Sequence, residues 1–267
     1  MAQASWKAEQ SAALEREYNL RQAFPDYEQF FADWRRRSAA ARTARRAVLD
    51  ISYGEGPRRK LDLFPARDHK APLLVFIHGG YWRSMDRTDF SFLAEPLVAR
   101  GISVAIPSYP LCPEATLDEI VDAAQAALTY VKCENIHLAG WSAGAHLATM
   151  LLTRSQPRKI RSVLALSGLY DLRPLRHVSV NEDLRLDPVA AARNSPLLLR
   201  PEAATRLAVV AGALETPALR KQSRDFAEAW KAPHSEIPDV HHYAIISALG
   251  DERTALFGQL LEQISAQ

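Results

Sequence analysis

Cysteine is scarce in this sequence. Only two cysteines, Cys112 and Cys133, occur among 267 residues, and their spacing excludes the familiar cysteine-based metal sites. This low content fits a reducing compartment, so we expect a cytoplasmic location.

Charge of one sign and long apolar runs are also lacking. The 33 Lys and Arg residues nearly balance the 31 Asp and Glu residues, and the net charge of +2 gives no strong attraction toward nucleic acid. No apolar run approaches the roughly 20 residues that span a bilayer. Residues 1–20 contain no apolar signal core, and their glutamates argue against a transit peptide. We therefore expect a small-molecule partner, with no nucleic acid and no membrane.

A dinucleotide-binding fingerprint is missing as well. The stretch GEGPRR at residues 54–59 lacks the third glycine and the following helix of that fingerprint. It is interpreted as a turn, and a nicotinamide site is rejected.

The pattern that is present predicts an α/β fold. From about residue 47 onward, short β-rich apolar runs alternate with helical patterns, as in a mostly parallel sheet flanked by helices. Eight strands are predicted: AVLDISY, KLDLF, PLLVFIH, ISVAIPSY, NIHLAG, SVLALSG, RLAVVAG and SEIPDV. The first two form a hairpin, and Thr116 begins a helix with apolar residues at helical spacing. A chain of this length fits one domain, residues 1–267.

Two segments fall outside the alternation. Residues 1–46 have a helical pattern with several aromatic side chains, so this N-terminal helical segment is expected to pack on the body. It could cap the pocket or mediate contacts in a homodimer, and both roles stay open. Residues 171–205 are rich in Pro and Arg and interrupt the alternation between two late strands, where a lid over a substrate pocket could be inserted.

A serine lies between two glycines directly after a predicted strand, in the string GWSAGAHLA at residues 140–148. If a helix follows, Ser142 sits on a sharp strand-to-helix turn, which exposes its hydroxyl at the carboxyl edge of the sheet. Gly140 and Gly144 would let strand and helix approach closely, and Ser142 would need a strained backbone. A nucleophile is therefore favoured over a glycine turn with an incidental serine.

A serine nucleophile needs a histidine to take its proton and a carboxylate to orient that histidine. The turn resembles that of α/β-hydrolases, in which the acid and then the histidine follow later strands. Glu215 is the first carboxylate after RLAVVAG, and His241 and His242 follow SEIPDV. We predict Glu215 as the acid and His242 as the base, because His242 lies nearer to the apolar YAII helix.

Other assignments of these residues were considered. A metal site from the histidines would use His234, His241 and His242, but no acidic or cysteine ligand falls at a familiar spacing. The other acids near expected loop positions are Asp171, Asp187, Asp225 and Asp239.

The stretch FIHGGYW at residues 76–82 supplies a glycine pair after a buried strand. The oxyanion hole is predicted at Gly79 and Gly80, with the amide of Ala143 as the second kind of donor. His78 is interpreted as a structural residue that bonds the loop backbone. Three aromatic residues are candidates for substrate binding, with packing as the alternative: Tyr81, Trp82 and Trp141.

Together, HGGYW, GWSAGAHLA, LSGLYDL, NSP and ETPALRKQSRDF resemble the arylformamidase (kynurenine formamidase) branch of the α/β-hydrolase superfamily. The resemblance runs from about residue 50 to the C-terminus. It implies hydrolysis of N-formylkynurenine to kynurenine and formate, with Ser142, Glu215 and His242 as the catalytic residues, and no metal or organic cofactor. The chain departs from the branch at Trp141, where histidine is frequent, at Glu215, where aspartate is usual, and at VHHYAII, where DHFDII is typical.

The sequence therefore predicts a serine hydrolase that cleaves a small formyl-type amide or ester of an aromatic compound through an acyl-enzyme. A short-chain carboxylesterase would share every catalytic residue. A non-catalytic binding protein with the α/β-hydrolase fold is the alternative from another class.

Overall fold

Eight strands form one sheet in the order β1-β2-β4-β3-β5-β6-β7-β8. The computed structural model describes residues 2–43, 46–154 and 160–266, with the backbone alone for residues 2–8. The strands are β1 Val48–Ser52, β2 Lys60–Phe64, β3 Leu73–Ile77, β4 Ser103–Pro107, β5 Ile136–Trp141, β6 Ile160–Leu166, β7 Arg206–Gly212 and β8 His234–Ile237. All eight predicted strands are present, each within a few residues of its predicted bounds.

The sheet is parallel except at one edge. β1 and β2 form the predicted antiparallel hairpin, and β2 runs antiparallel to β4, whereas all other neighbours are parallel. The central strands β3 and β5 are buried at every position, because neighbouring elements cover both faces. At the edge, β1 alternates between exposed and half-buried residues.

Helices flank the sheet, as the alternating pattern predicted. The helices are α1 Ala2–Tyr18, α2 Leu20–Ala23, α3 Tyr27–Ala41, α4 Ala94–Ala99, α5 Leu117–Tyr130, α6 Ala143–Leu152, α7 Asn181–Leu184, α8 Pro188–Arg193, α9 Pro217–Trp230, α10 Ala244–Leu249 and α11 Ala255–Ser265. Thr116 caps α5 as predicted, since its side chain accepts a hydrogen bond from the amide of Glu119 and the Glu119 carboxylate accepts one from Thr116. Among the described residues, every helix is too short or too polar to cross a membrane.

The N-terminal segment packs against the body through α3. Trp34 of α3 is fully buried, and its indole ring lies 5.6 Å from the ring of Phe90 and 5.5 Å from that of Trp141. The indole N–H donates a hydrogen bond of 3.0 Å to the hydroxyl of Ser247 at the other end of the sequence. Of this predicted segment, residues 1, 44 and 45 lie outside the described part.

The insertion between β6 and β7 is helical. Residues 171–205 contain α7, α8 and two short 3-10 turns, Pro174–His177 and Pro196–Leu198, and no strand. This agrees with the lack of a strand pattern in the sequence there.

Candidate active site

Ser142 occupies the turn between β5 and α6. Its φ of 55° and ψ of −119° belong to a region that residues with a Cβ rarely adopt. A Cβ at Gly140 would overlap the carbonyl of Gly144, and a Cβ at Gly144 would overlap the carbonyls of Ile77 and His78. Glycine is therefore required on both sides of Ser142, because backbone from β3 and α6 passes through the space that a side chain would fill.

Glu215 and His242 meet at the carboxyl edge of the sheet. Glu215 Oε2 lies 3.6 Å from His242 Nδ1, and both side chains are almost completely buried. Neither atom has another hydrogen-bond partner among the described residues. The other carboxylate oxygen, Oε1, accepts hydrogen bonds from the amide of Gly212 at 2.9 Å and from the hydroxyl of Ser167. One oxygen of Glu215 is thus anchored, and the other faces the imidazole.

The neighbouring histidine has a different environment. His241 Nε2 lies 3.2 Å from the carboxylate of Asp26, and its ring stacks on Phe24 at 4.9 Å between centroids. Both partners belong to the N-terminal segment. Of the two adjacent histidines, only His242 faces Glu215.

Three of the other four acids have partners of their own. Asp171 binds Arg173 at 2.8 Å, Asp187 caps α8, and Asp225 pairs with Lys221 at 2.5 Å along α9.

Among the described residues, no group of three or more His, Cys, Asp or Glu side chains is arranged to hold a metal ion.

The loop after β3 carries the predicted glycine pair. A Cβ at Gly79 would collide with the ring of Trp141, and Gly80 has a φ of +105°, so both positions need glycine. In the described part of the chain, no hydrogen bond uses the amide N–H of Gly80 or Ala143 as donor. His78 Nδ1 lies 2.8 Å from the carbonyl of Gly79, as expected for a structural residue, and burial lowers the pKa of His78 to about 4.

The three aromatic candidates separate into two groups. Tyr81 and Trp141 line a cavity together with Ser142, and the Trp141 indole donates a hydrogen bond of 2.9 Å to the carbonyl of His242. Trp82 is fully buried and is not among the lining residues. Both Tyr81 and Trp82 have left-handed φ values, and Trp82 packs edge-on against His146 at 4.8 Å. Packing, rather than substrate contact, is the role that the structure supports for Trp82.

A cavity opens at Ser142 and encloses about 610 Å³ of empty space when its open mouth is included. Three parts of the chain other than the sheet edge contribute lining residues. The N-terminal segment gives six, which we call the N-terminal wall: Glu15, Tyr18, Asn19, Leu20, Arg21 and Phe31. The loop after β3 gives Gly80, Tyr81, Arg83, Ser84 and Met85, and the 171–205 insertion gives Val178, Ser179 and Val180. Trp141, Ser142, His242 and Tyr243 complete the lining.

Polar contacts hold the N-terminal wall in place. The carboxylate of Glu15 accepts hydrogen bonds from the amide of Ser179 at 2.7 Å and from its hydroxyl at 2.6 Å. Burial alone would raise the pKa of Glu15, but these hydrogen bonds keep it below its usual value. The Tyr81 hydroxyl donates to the carbonyl of Tyr18 at 2.6 Å, and Gln222 of α9 donates to the Tyr18 hydroxyl at 3.0 Å. Residues 1–46 therefore contribute directly to the cavity.

Sequence reasoning missed Ser167 and Tyr243. It left open whether the N-terminal segment caps the pocket and did not identify the residues of the N-terminal wall. Ser167 follows β6 with a φ of 51° and donates to Glu215, which no local pattern indicates. Tyr243 follows the predicted base directly, so its position in the sequence was a usable signal. The N-terminal wall reaches the site only through contacts distant in sequence.

The geometry can support nucleophilic chemistry. A serine on a strained turn and a buried imidazole that faces a carboxylate line the same cavity, and both are parts that acyl transfer needs.

A comparison with known proteins places this chain among hydrolases. A sequence profile of the BD-FAE family matches residues 61–181. The chain is 31% identical to the kynurenine formamidase of Danio rerio over 246 residues, which covers 84% of each chain. It is 32% identical to the kynurenine formamidase of Salmo salar over 234 residues, covering 79% of this chain and 80% of the relative.

Crystal structures give the same picture of the fold. A provisionally named thioesterase from Silicibacter sp. TM1040 superposes with a TM-score of 0.87 at 35% identity, covering 92% of this chain and 97% of the other. An esterase from Pyrobaculum calidifontis superposes with a TM-score of 0.73 at 19% identity, covering 89% and 91%. The sheet and its helices are those of the α/β-hydrolase fold.

Proposed function

Since the chain belongs to the kynurenine formamidase family of α/β-hydrolases, we propose that it hydrolyses the formyl amide of an aromatic amine through an acyl-enzyme on Ser142. The chain is a hydrolase, and its relatives and structural neighbours act on formyl amides or esters. N-formylkynurenine is the first substrate to test, because the curated relatives are named for it.

One observation carries the assignment of the catalytic residues. His242 Nδ1 and Glu215 Oε2 face each other at 3.6 Å, both buried and both without another partner among the described residues. A small movement would bring the two atoms into a hydrogen bond. That bond would orient the imidazole and stabilise its protonated form while the second ring nitrogen serves Ser142.

The proposed reaction begins with attack of Ser142 Oγ on the formyl carbon. The hydroxyl proton passes to His242, and the carbonyl oxygen becomes an oxyanion. The amide of Ala143, together with the amides of Gly79 and Gly80, supplies hydrogen bonds to this oxygen in the proposed oxyanion hole.

Collapse of this intermediate breaks the carbon–nitrogen bond. His242 returns its proton to the nitrogen, the aromatic amine leaves, and a formyl ester remains on Ser142. Water then attacks the ester while His242 accepts a proton from it, and His242 finally returns that proton to Ser142 as formate is released. An amine is a poor leaving group, so general-acid catalysis by His242 matters more for an amide than for an ester.

The proposal is tested by measuring hydrolysis of N-formylkynurenine beside phenyl acetate, with wild-type protein and Ser142→Ala. We expect formamide turnover in the wild type and a loss of about a thousandfold or more in the variant, because the catalytic residues act as a unit. Circular dichroism checks that the variant is folded.

Two matched pairs test the partners of Ser142. Glu215→Gln should lower kcat strongly, whereas Asp225→Asn should have little effect on kcat. Likewise, His242→Gln should lower kcat strongly, whereas His241→Gln should retain most of the activity. A larger loss from Asp225→Asn would contradict the choice of acid.

Other outcomes would replace the proposal. Ester turnover without formamide turnover would identify a short-chain carboxylesterase. No turnover, and no labelling of Ser142 by a fluorophosphonate probe, would indicate a protein that binds a ligand without catalysis.

The proposal also covers the cellular location, the partners and the oligomeric state of the enzyme. It includes a cytoplasmic location and a small-molecule substrate as the partner, without nucleic acid. A homodimer stays a prediction, which sedimentation at several protein concentrations would test.

A further inference from the structure

Three charged side chains line the cavity at Ser142, and they differ in how they are compensated. The carboxylate of Glu15 is held by Ser179, and Arg83 pairs with Asp183 at 2.6 Å. Arg21 has neither an ion pair nor a hydrogen bond among the contacts of the described residues, and its guanidinium lies over the ring of Tyr27 at 5.3 Å. Arg21 is solvent-exposed, and of these three side chains it alone has no charged or hydrogen-bonding partner among the described residues.

Tyr243 contributes a second unused donor. The residue is only 5% exposed, yet its hydroxyl makes no hydrogen bond within the described part of the chain. Its ring is held by Trp141 at 6.0 Å and Phe31 at 5.4 Å between centroids. A phenol hydroxyl that lines a cavity and has no protein partner there is free to donate a hydrogen bond to a ligand atom.

The two donors are close enough to influence each other. Burial raises the pKa of the Tyr243 phenol, and the positive charge of Arg21 acts in the opposite direction. The phenol stays protonated at neutral pH and can donate a hydrogen bond. Both groups line the cavity that holds Ser142 and His242.

We propose that Arg21 and Tyr243 form a subsite for a carboxylate group of the substrate, so that the enzyme prefers anionic aromatic substrates over neutral ones. The proposal rests on the proposed function, because it assumes that the substrate occupies the cavity at Ser142. A guanidinium and a neutral phenol both donate hydrogen bonds, and their combination suits a carboxylate oxygen pair. The aromatic walls formed by Phe31, Tyr81 and Trp141 suit the ring that carries this group.

The test compares matched substrates that differ only in a carboxylate. One pair is 4-formamidobenzoate and formanilide, and the other is 4-acetoxybenzoate and phenyl acetate. In each pair, the ratio of kcat/KM for the anionic over the neutral substrate is measured in the wild type and in Arg21→Gln. We expect Arg21→Gln to lower this ratio by about tenfold or more, mainly through KM, since hydrogen bonds to charged groups are among the stronger ones.

Further variants separate the role of each group. Arg21→Lys should retain part of the preference, because the charge remains without the planar fork. Tyr243→Phe should lower the ratio severalfold. Arg36→Gln is the matched control, since Arg36 is exposed on α3 and does not line the cavity, and it should leave both ratios unchanged.

The results distinguish failure of this proposal from failure of the proposed function. If only esters are cleaved, the formamide assignment is wrong. The ratio of kcat/KM for 4-acetoxybenzoate over phenyl acetate then still measures the preference for a carboxylate. If nothing is cleaved, calorimetric binding of 4-aminobenzoate and aniline replaces the rates, with a loss of about tenfold expected for 4-aminobenzoate in Arg21→Gln. An unchanged ratio in folded Arg21→Gln, by rates or by binding, overturns the subsite.

Discussion

Ser142 and Ser167 share an unusual backbone conformation at the ends of neighbouring strands. Their φ values are 55° and 51°, and each follows the last residue of its strand, β5 or β6. Non-glycine residues keep such conformations mainly where the surrounding structure requires them. Ser142 lines the cavity, whereas the hydroxyl of Ser167 donates a hydrogen bond to the carboxylate of Glu215.

Replacing Ser167 tests whether it positions the acid. Ser167→Ala should lower kcat on the best substrate by about tenfold with little change in KM, because Glu215 would lose one of the two hydrogen bonds that anchor Oε1. The pH profile of kcat/KM should also shift, since the imidazole of His242 would face a less ordered carboxylate.

Two further variants separate this role from a structural one. Ser167→Gly relieves the backbone strain but also removes the hydroxyl. Its kcat should therefore fall as much as that of Ser167→Ala, while its unfolding temperature should be higher than that of Ser167→Ala. Ser91→Ala removes a buried hydroxyl that has no hydrogen-bond partner within the described ranges, so it should change neither kcat nor the pH profile. Normal kcat in Ser167→Gly would show that the hydroxyl is not needed.

At the scale of elements, the N-terminal segment is part of the enzyme body. α3 places Trp34 against Phe90, Phe92 and Trp141, and Trp141 in turn bonds the backbone of His242. Packing from the start of the sequence is thereby connected to the position of the proposed base.

Trp34→Ala should affect both stability and turnover. Loss of a fully buried indole typically costs about 3–5 kcal/mol, so the free energy of unfolding measured with urea should fall by that order. The kcat should also decrease, because Trp141 would lose a packing partner.

Tyr130→Ala is the control for this change. Tyr130 is an aromatic residue with 47% of its surface exposed, far from this cluster, and its loss should change the free energy of unfolding by about 0.5 kcal/mol or less. Equal effects of the two substitutions would argue against the special role of Trp34.

At the scale of the whole molecule, three buried histidines lower the stability in acid. Burial lowers the pKa of His78, His137 and His146 from 6.5 to about 4. Between these values the unfolded chain binds more protons than the folded one, so the free energy of unfolding decreases as the pH falls from about 6.5 toward 4. Each histidine contributes a slope of up to about 1.4 kcal/mol per pH unit.

Urea unfolding from pH 8 to pH 4.5 measures this slope. His146→Gln should reduce the slope of the free energy of unfolding against pH by up to about 1.4 kcal/mol per pH unit, which corresponds to one bound proton. His69→Gln should leave the slope unchanged because His69 is exposed. An unchanged slope in His146→Gln would show that His146 is not a source of the acid sensitivity.

Local patterns made most of the fold predictable. Each parallel strand except β8 is a short apolar run, and this pattern predicted the order of the elements. The sheet topology confirms the predicted fold, and the relatives confirm the family. The catalytic roles of Ser142, Glu215 and His242 stay predictions.

Long-range contacts were beyond the reach of those patterns. No spacing indicates that Glu15 bonds Ser179 or that Ser167 bonds Glu215. The inward direction of Trp82 depends on two consecutive left-handed residues, Tyr81 and Trp82, which the sequence does not mark.

The N-terminal wall has a consequence for how the cavity forms during synthesis. Glu15 contacts a residue 164 positions later, and Tyr18 contacts one 204 positions later. During translation, the residues of the N-terminal wall are therefore synthesised long before the residues that hold the wall in place. A growing chain can already carry the Ser142 turn, but its cavity is complete only after Tyr243 has emerged from the exit tunnel.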